Sequence, residues 1–445
     1  SVRDVAGSKC QVCPRSFKAS TLKGLISTLS EVALKERDAR GFLNMGEIDA
    51  DYRITDAKVM AERAEALAQS AELDPDTARN VWEVAARAHR QNGKDADSNR
   101  CLTSAAECYV RMAEAAGLMG MSASSWLMDA IRALRHIPGT KDRRAELEAK
   151  LREAQAGIAD EMAIVKSPEI DISDLVDHAR KTVGGLTLAQ ALFEFANLER
   201  SPTPEKLREE ALKQAEESPL SSIIPMSIHD DEGKVVARSP GLGGNGGEED
   251  KTAMRHLIAR GEVFRRQIAV AGLIEPARRT IMAGHLLEER DLLLLTELSP
   301  FVPLGREHIF ALGFARFFGG DHVSALHTLV PQLENSLRYV LEQAAIDTSS
   351  MQSDMTQENR TLSVMLSKDR AAIEKIFGPA ITIEIENLFD FEGGPSLRHQ
   401  LAHGLLSAGA CYSHDAIYAC WFIFRLCCLP LFRYWQQVAD AYARM

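Results

Sequence analysis

The best set of groups for chemistry in this chain is Arg398-His399-Gln400-Leu401-Ala402-His403. An arginine, a polar residue directly after it and a histidine five places on from the arginine lie in an otherwise apolar run. Two imidazoles titrate near neutral pH, and a guanidinium can fork onto a phosphate. That combination suits general acid–base work on a phosphodiester without a metal. On a helix, at about 100° per residue, His399 and His403 lie roughly 40° apart on one face. Arg398 and His403 lie about 140° apart. The arginine meets His403 only by curling round the first turn, or by meeting the second copy of a dimer. The plain alternative stays open: Arg and His on a surface helix are often simply solvated, and six-residue patterns recur by chance.

The elements that must position these residues can be read on either side. Gly393-Gly394-Pro395 precedes the motif. Gly394 or Ser396 can act as N-cap and Pro395 suits a first helical position, so a helix is expected to begin just before Arg398. Its N-terminus would offer free N–H groups and positive dipole charge to an anion such as phosphate. Upstream, Asp321 to about Ala345 reads as a long helix, kinked or broken at Pro331. Within it Glu334 and Arg338 are four residues apart, either a plain helix ion pair or a support for the motif. Downstream, Ser413 caps a final apolar helix. The run Ala416–Trp435 approaches membrane-spanning length, but Arg425 sits in its middle and Pro430 interrupts it. An arginine at the bilayer centre is costly, so a buried core or dimer-interface helix is expected and a membrane span is not.

The whole sequence sets the class. Its 445 residues suffice for two or three domains, and 45% apolar with 26% charged content is that of an ordinary globular protein. Aromatic residues make up 6%, and Ala, Leu, Glu and Arg dominate, which predicts an all-α fold. A net charge of −11 excludes a general nucleic-acid coat protein but not an enzyme with a small basic site. Residues 395–445 hold four arginines against two acids, with His399, His403 and His414. The acids Glu384, Glu386, Asp390 and Glu392 just before the motif would repel RNA unless they face away. No aromatic platform for splayed bases is evident.

The cysteines are Cys10, Cys13, Cys101, Cys108, Cys411, Cys420, Cys427 and Cys428. The sequence starts with neither a basic nor an apolar leader region, so a reduced, cytoplasmic protein is expected. Cys10-Gln-Val-Cys13 is a lone CxxC with no second pair at finger spacing, which argues against a zinc knuckle. Cys101 and Cys108, seven apart, read as core residues. A metal site of His399, His403 and His414 is a further, weaker reading; no metal and no cofactor is expected.

Residues 1–20 show no period. Helical patterns follow at 21–35, 57–71, 77–91, 96–116, 122–136 and 141–165, with Asp74-Pro75-Asp76 as turn and cap. Small residues at packing positions, as in Ala85-Ala86-Arg87-Ala88, suggest stacked helical hairpins of the solenoid kind, either a platform for a partner protein or a plain support. With helices at 170–182, 186–199 and 203–217 they make an N-terminal domain of residues 1–218. Residues 219–249 hold a β-hairpin (222–229 with 234–238) and a Gly-rich linker. The linker fails the phosphate-loop pattern because Asp250 stands before Lys251-Thr252, where Gly is needed. Residues 250–445 are helical again, at 250–271, 274–289, 305–318 and 358–377. The stretch 379–390 is ambiguous, because Ile381-Thr-Ile-Glu-Ile-Glu alternates like a strand.

The motif Arg398-His399-Gln400-Leu401-Ala402-His403 resembles the signature of the HEPN superfamily, an all-α bundle found in many bacterial toxin and defence ribonucleases. Pro303-Leu-Gly-Arg306 and Leu329-Val-Pro-Gln-Leu-Glu334-Asn-Ser-Leu-Arg338-Tyr resemble the helices before that motif in a bacterial HEPN-like family. The likeness covers about residues 220–440. It implies a metal-independent endoribonuclease acting on RNA as a homodimer, with motif helices facing each other across a two-fold axis. His403 would assist attack of the ribose 2′-OH, and Arg398 would stabilise charge on the phosphoryl oxygens. His399 would orient the phosphate or share proton transfer, with Glu334 and Arg338 orienting the site. HEPN modules also serve as non-catalytic dimerisation or nucleotide-binding domains, which leaves a helical scaffold as the alternative.

Overall fold

Several helices of this chain start where a short polar side chain can take up free backbone N–H groups. Asp56 accepts from the amides of Lys58 and Val59, Asp74 from Thr77 at 3.0 Å, Asp321 from Ser324 at 3.1 Å and Ser413 from Ala416 at 3.3 Å. A computed structural model describes residues 19–52, 54–70, 73–117, 120–156, 169–229, 234–243, 246–351 and 354–444. Helix makes up 74% and strand 4%, so the protein is all-α with small β-ribbons. Cys10 and Cys13 lie outside the described residues, as does the turn 230–233 of the hairpin.

Two compact units result, one of residues 1–166 with 229–234 and one of 167–228 with 235–445. In the first, the helices Ala19–Lys35, Ala39–Tyr52, Ala57–Ala68, Pro75–Gln91, Asp95–Ala115, Gly120–Leu134 and Lys141–Ala156 pack mostly on their chain neighbours. This is the one-dimensional stacking of a helical-hairpin array. Its interior is largely alanine: Ala61, Ala64, Ala78, Ala85, Ala105 and Ala106 are all buried, and their small side chains let the helices approach closely. Cys101 and Cys108 belong to this core.

The second unit begins earlier than the sequence suggests. The expected boundary at 218 gives way because the helices Ser173–Val183 and Leu188–Ala196 turn their apolar faces into the C-terminal core. Phe195 meets Phe318 and Phe424 with ring centres 5.1 Å and 5.6 Å away. The indoles of Trp421 and Trp435 donate to the carbonyls of Phe195 and Ala189 at 2.9 Å and 3.0 Å. The first of these bonds reaches a carbonyl in the last turn of Leu188–Ala196, where helix carbonyls lack an intrahelical partner.

At the centre lies the helix His414–Cys428, buried from Ala416 to Cys428. The helical stretch His414–Tyr442 is long and apolar enough by composition to cross a membrane, yet 78% of its apolar window is buried within the protein. Arg425, the charge in its middle, donates to the carbonyl of Ala196. The core helix His322–Gln343 runs through Pro331 as one element, so the proline does not break it.

Other departures concern irregular backbone. Met226–His229 pairs with Val235–Ser239 as anticipated, but a second antiparallel ribbon joins Ser349–Met351 to Gln357–Asn359. The expected helix 358–377 is therefore shorter and divided at Asp369 into Leu362–Lys368 and Arg370–Phe377. The ambiguous stretch is a helix, Pro379–Ile385, loosening into a π-turn over Glu386–Asp390. A second π-segment, Val270–Ile274, links the helices Glu248–Ala269 and Glu275–His285.

Candidate functional site

The motif forms a helix of 6 residues, Leu397–Ala402. Ser396 precedes it with φ +44° and makes no capping bond through its side chain. Pro395 lies before this cap, not at the first helical position as expected, because Gly394 is already turned back onto the Phe391 carbonyl at 2.9 Å. The end is sharply defined. Gly404 takes φ +66°, its amide bonds the Leu401 carbonyl at 3.1 Å, and that of Leu405 bonds Gln400 at 2.8 Å. This is a Schellman closure, which favours glycine at its left-handed position. His403 is thus the residue that caps the helix, one turn beyond His399.

Both histidines are exposed, with ring centres 4.4 Å apart and planes at 57°. The spacing of four residues brings the two imidazoles against each other as the helical geometry requires. Arg398 faces the long helix: its Nε donates to Glu334 Oε2 at 2.9 Å. The other oxygen of Glu334 accepts from Arg338 Nη2 at 3.1 Å. Arg338 also bonds the carbonyl of Arg360 at 3.1 Å. One carboxylate therefore stands between two guanidiniums. The terminal nitrogens of Arg398 have no hydrogen-bond partner among the described residues, and the side chain is 27% exposed. Such a guanidinium can still fork onto a phosphate while its Nε is held.

Glu334 and Arg338 do pair with each other, and Glu334 also reaches Arg398. Three of the four acids before the motif are engaged elsewhere. Glu384 is 1% exposed and accepts from Tyr418 Oη at 2.6 Å and from Arg265. Glu386 is held by Arg255 and by Arg370 at 2.9 Å, and Asp390 by Ser363. Glu392 remains exposed.

His414 does not join the other two histidines. It lines a separate polar cavity of about 720 Å³ with Arg180, Glu275, Arg279, His322 and Tyr412. There burial pulls His322 below its ordinary value, an effect Glu275 opposes and Arg278 reinforces. Among the described residues, the metal-type donor set whose ligand atoms all lie within 4.8 Å is Glu65, His89 and Cys101. The sequence carries no motif for that trio, which is scattered over residues 65–101. The one signal is His89 directly after Ala88 in an alanine-rich helical run, with Cys101 at a core spacing from Cys108.

A buried charged network was equally hidden. Arg265 bonds Glu262, Glu384 and Tyr418, while Arg266, fully buried, meets Asp415. Each of these charges has an opposite partner, as buried ions require.

Compared with known proteins, the chain matches no family model, no curated protein and no solved structure.

Proposed function

We propose that the second unit is a HEPN-type, metal-independent endoribonuclease, acting in the cytoplasm as a homodimer in bacterial toxin or anti-phage defence. The observation that carries this reading is the paired exposed rings of His399 and His403 beside Arg398, whose Nε is held on Glu334 and whose terminal nitrogens are left over. In this reading Arg398 forks onto the phosphate of a bound RNA and offsets charge on its oxygens. His403 takes the proton of the ribose 2′-OH as the O2′–P bond forms. His399, or the histidine of a second copy, gives a proton to the departing 5′-oxygen as the P–O5′ bond breaks. The products are a 2′,3′-cyclic phosphate and a 5′-hydroxyl. Because Arg398 turns toward Glu334, a second chain placing its motif across a two-fold axis supplies the complementary groups.

The alternative is a non-catalytic scaffold that dimerises through an inactive module and binds a partner protein or nucleotide. Glu334 favours it, since a carboxylate already neutralises part of the charge that RNA would need. Incubating the protein with single-stranded, structured and transfer RNA in EDTA separates the two. Cleavage to cyclic phosphate ends, falling about 10²–10⁴-fold in His403→Ala, supports the nuclease. Absence of cleavage, with RNA or nucleotide binding retained, supports the scaffold.

A further inference from the structure

The donor trio of the first unit sits where three successive helices meet. Glu65 lies in the last turn of Ala57–Ala68, His89 in the last turn of Pro75–Gln91, and Cys101 in the second turn of Asp95–Ala115. His89 is 8% exposed and Cys101 fully buried. Their functional atoms converge on a single oxygen. Oε1 of Glu65 faces His89 Nε2, Cys101 Sγ at 3.5 Å and Arg100 Nη2 at 2.7 Å. A carboxylate oxygen has two lone pairs, so three donors exceed what it can accept. On the far side of the imidazole, Nδ1 of His89 is buried with no hydrogen-bond partner.

A cation resolves the excess. If it replaces the protons on Nε2 and Sγ, then nitrogen, sulfur and oxygen all become ligands of one centre, and Arg100 remains as the outer partner of the carboxylate. Borderline nitrogen with a thiolate and one carboxylate oxygen is a donor set that suits Zn²⁺, and ligand atoms no more than 4.8 Å apart can surround a tetrahedral ion once the Nε2–Oε1 hydrogen bond opens to admit it. We propose that Glu65, His89 and Cys101 form a zinc site that clamps three consecutive helices of the first unit. Three protein ligands leave one position open to water or to a ligand from a partner. The core here is mostly alanine, which buries little area per residue, so a metal tie between helices adds what the packing lacks.

The test is zinc stoichiometry of the full chain, reconstituted with Zn²⁺ and freed of loose metal by gel filtration. Cys10→Ser/Cys13→Ser serves as the background, so that any zinc on the CxxC does not count. About one equivalent per chain is expected. His89→Ala and Cys101→Ser should each lose most of it. The cobalt(II)-loaded background protein should show a thiolate-to-metal charge-transfer band that Cys101→Ser abolishes. This spectrum decides the matter even if a variant folds poorly, because the parent must itself show the band. Zinc well below one equivalent, a cobalt spectrum without thiolate character, or metal content unchanged in the His89→Ala/Cys101→Ser double variant overturns the proposal.

Discussion

Two successive helices of the second unit are held by opposite means. In His414–Cys428 every residue from Ala416 onward is buried, and its polar groups are tied to distant chain, Trp421 to Phe195 and Tyr418 to Glu384. In Leu397–Ala402 the one fully buried residue is Leu397, with Leu401 at the edge of the core and Arg398 on Glu334. The first helix is specified by packing, so nearly any change there is felt by the fold. The second is anchored at one residue and one ion pair. Packing does not dictate its exposed histidines, which leaves their identity to chemistry or to chance.

The comparison is broken most directly at Trp421. Trp421→Ala removes a fully buried indole and its bond to the Phe195 carbonyl, and should cost about 3–5 kcal/mol in urea unfolding. His403→Ala, on the exposed cap, should change stability by less than about 0.5 kcal/mol. If the two variants lost comparable stability, the motif helix would belong to the core and the contrast would fail.

Glu334→Gln tests the ion pair that ties the motif helix to the core helix His322–Gln343. The amide keeps shape but loses the charge that stands between Arg398 and Arg338, and about 1–3 kcal/mol of stability should go with it. For the nuclease, a misplaced Arg398 should lower kcat by up to about 10²-fold without raising KM, since an acid near RNA has been removed. A plain structural pair predicts the stability loss with kcat unmoved.

Much of this contrast was legible in the sequence, because each helix announces itself differently. Ser413 followed by an unbroken apolar run told of a buried helix, and Arg425 with Pro430 told against a membrane span. The motif helix was placed from its glycines, but its length was not: a closure at Gly404 depends on two backbone bonds that no side-chain pattern records. The link from Glu334 to Arg398 spans 64 residues, and only tertiary packing makes it. The division near residue 166 is hidden in the sequence for the same reason. Leu192 and Phe195 look like any amphipathic stripe until the rings of Phe318 and Phe424, which Phe195 meets, are known. The ribbon at 349–359 was hidden because Ser, Gln and Asn lack strand propensity, and its pairing is local.

A smaller effect, one of pH, lies in the helix His322–Gln343, on which both of these helices pack. Burial holds the His322 imidazole below its ordinary value of 6.5, with Glu275 opposing and Arg278 reinforcing. The unfolded chain then binds the proton first, so stability is full above pH 6.5 and declines as pH falls toward the folded value. His256 is lowered too, by burial and by Arg255, and adds in the same direction. In His322→Gln the acid decline should flatten just below pH 6.5, leaving the later loss as Glu275, held below 4.5, takes up its proton. Urea midpoints of the two proteins across that range check it. Equal slopes would mean that His322 does not stay neutral in the fold.

The smallest expected effect is at Ser396, which enters the motif helix with φ +44° and a weak 3.4 Å bond to the Asp390 carbonyl. A left-handed conformation costs an L-residue about 1–2 kcal/mol that glycine does not bear. Glycine gives part of this back through its freer unfolded chain, about 0.5–1 kcal/mol, and forfeits the hydroxyl bond. Ser396→Gly should therefore leave the unfolding midpoint nearly unchanged, within about 0.5 kcal/mol. The same change in the middle of His414–Cys428 would be ruinous, since a glycine there opens a cavity in a filled core. The sharper readout lies in the site. If Ser396 fixes the entry angle of the motif helix, loosening it lets Arg398 leave Glu334, and cleavage should fall while stability holds. A variant that lost stability but kept full cleavage would place Ser396 with the packed helix, and the division drawn between the two would have to move to its C-terminal side.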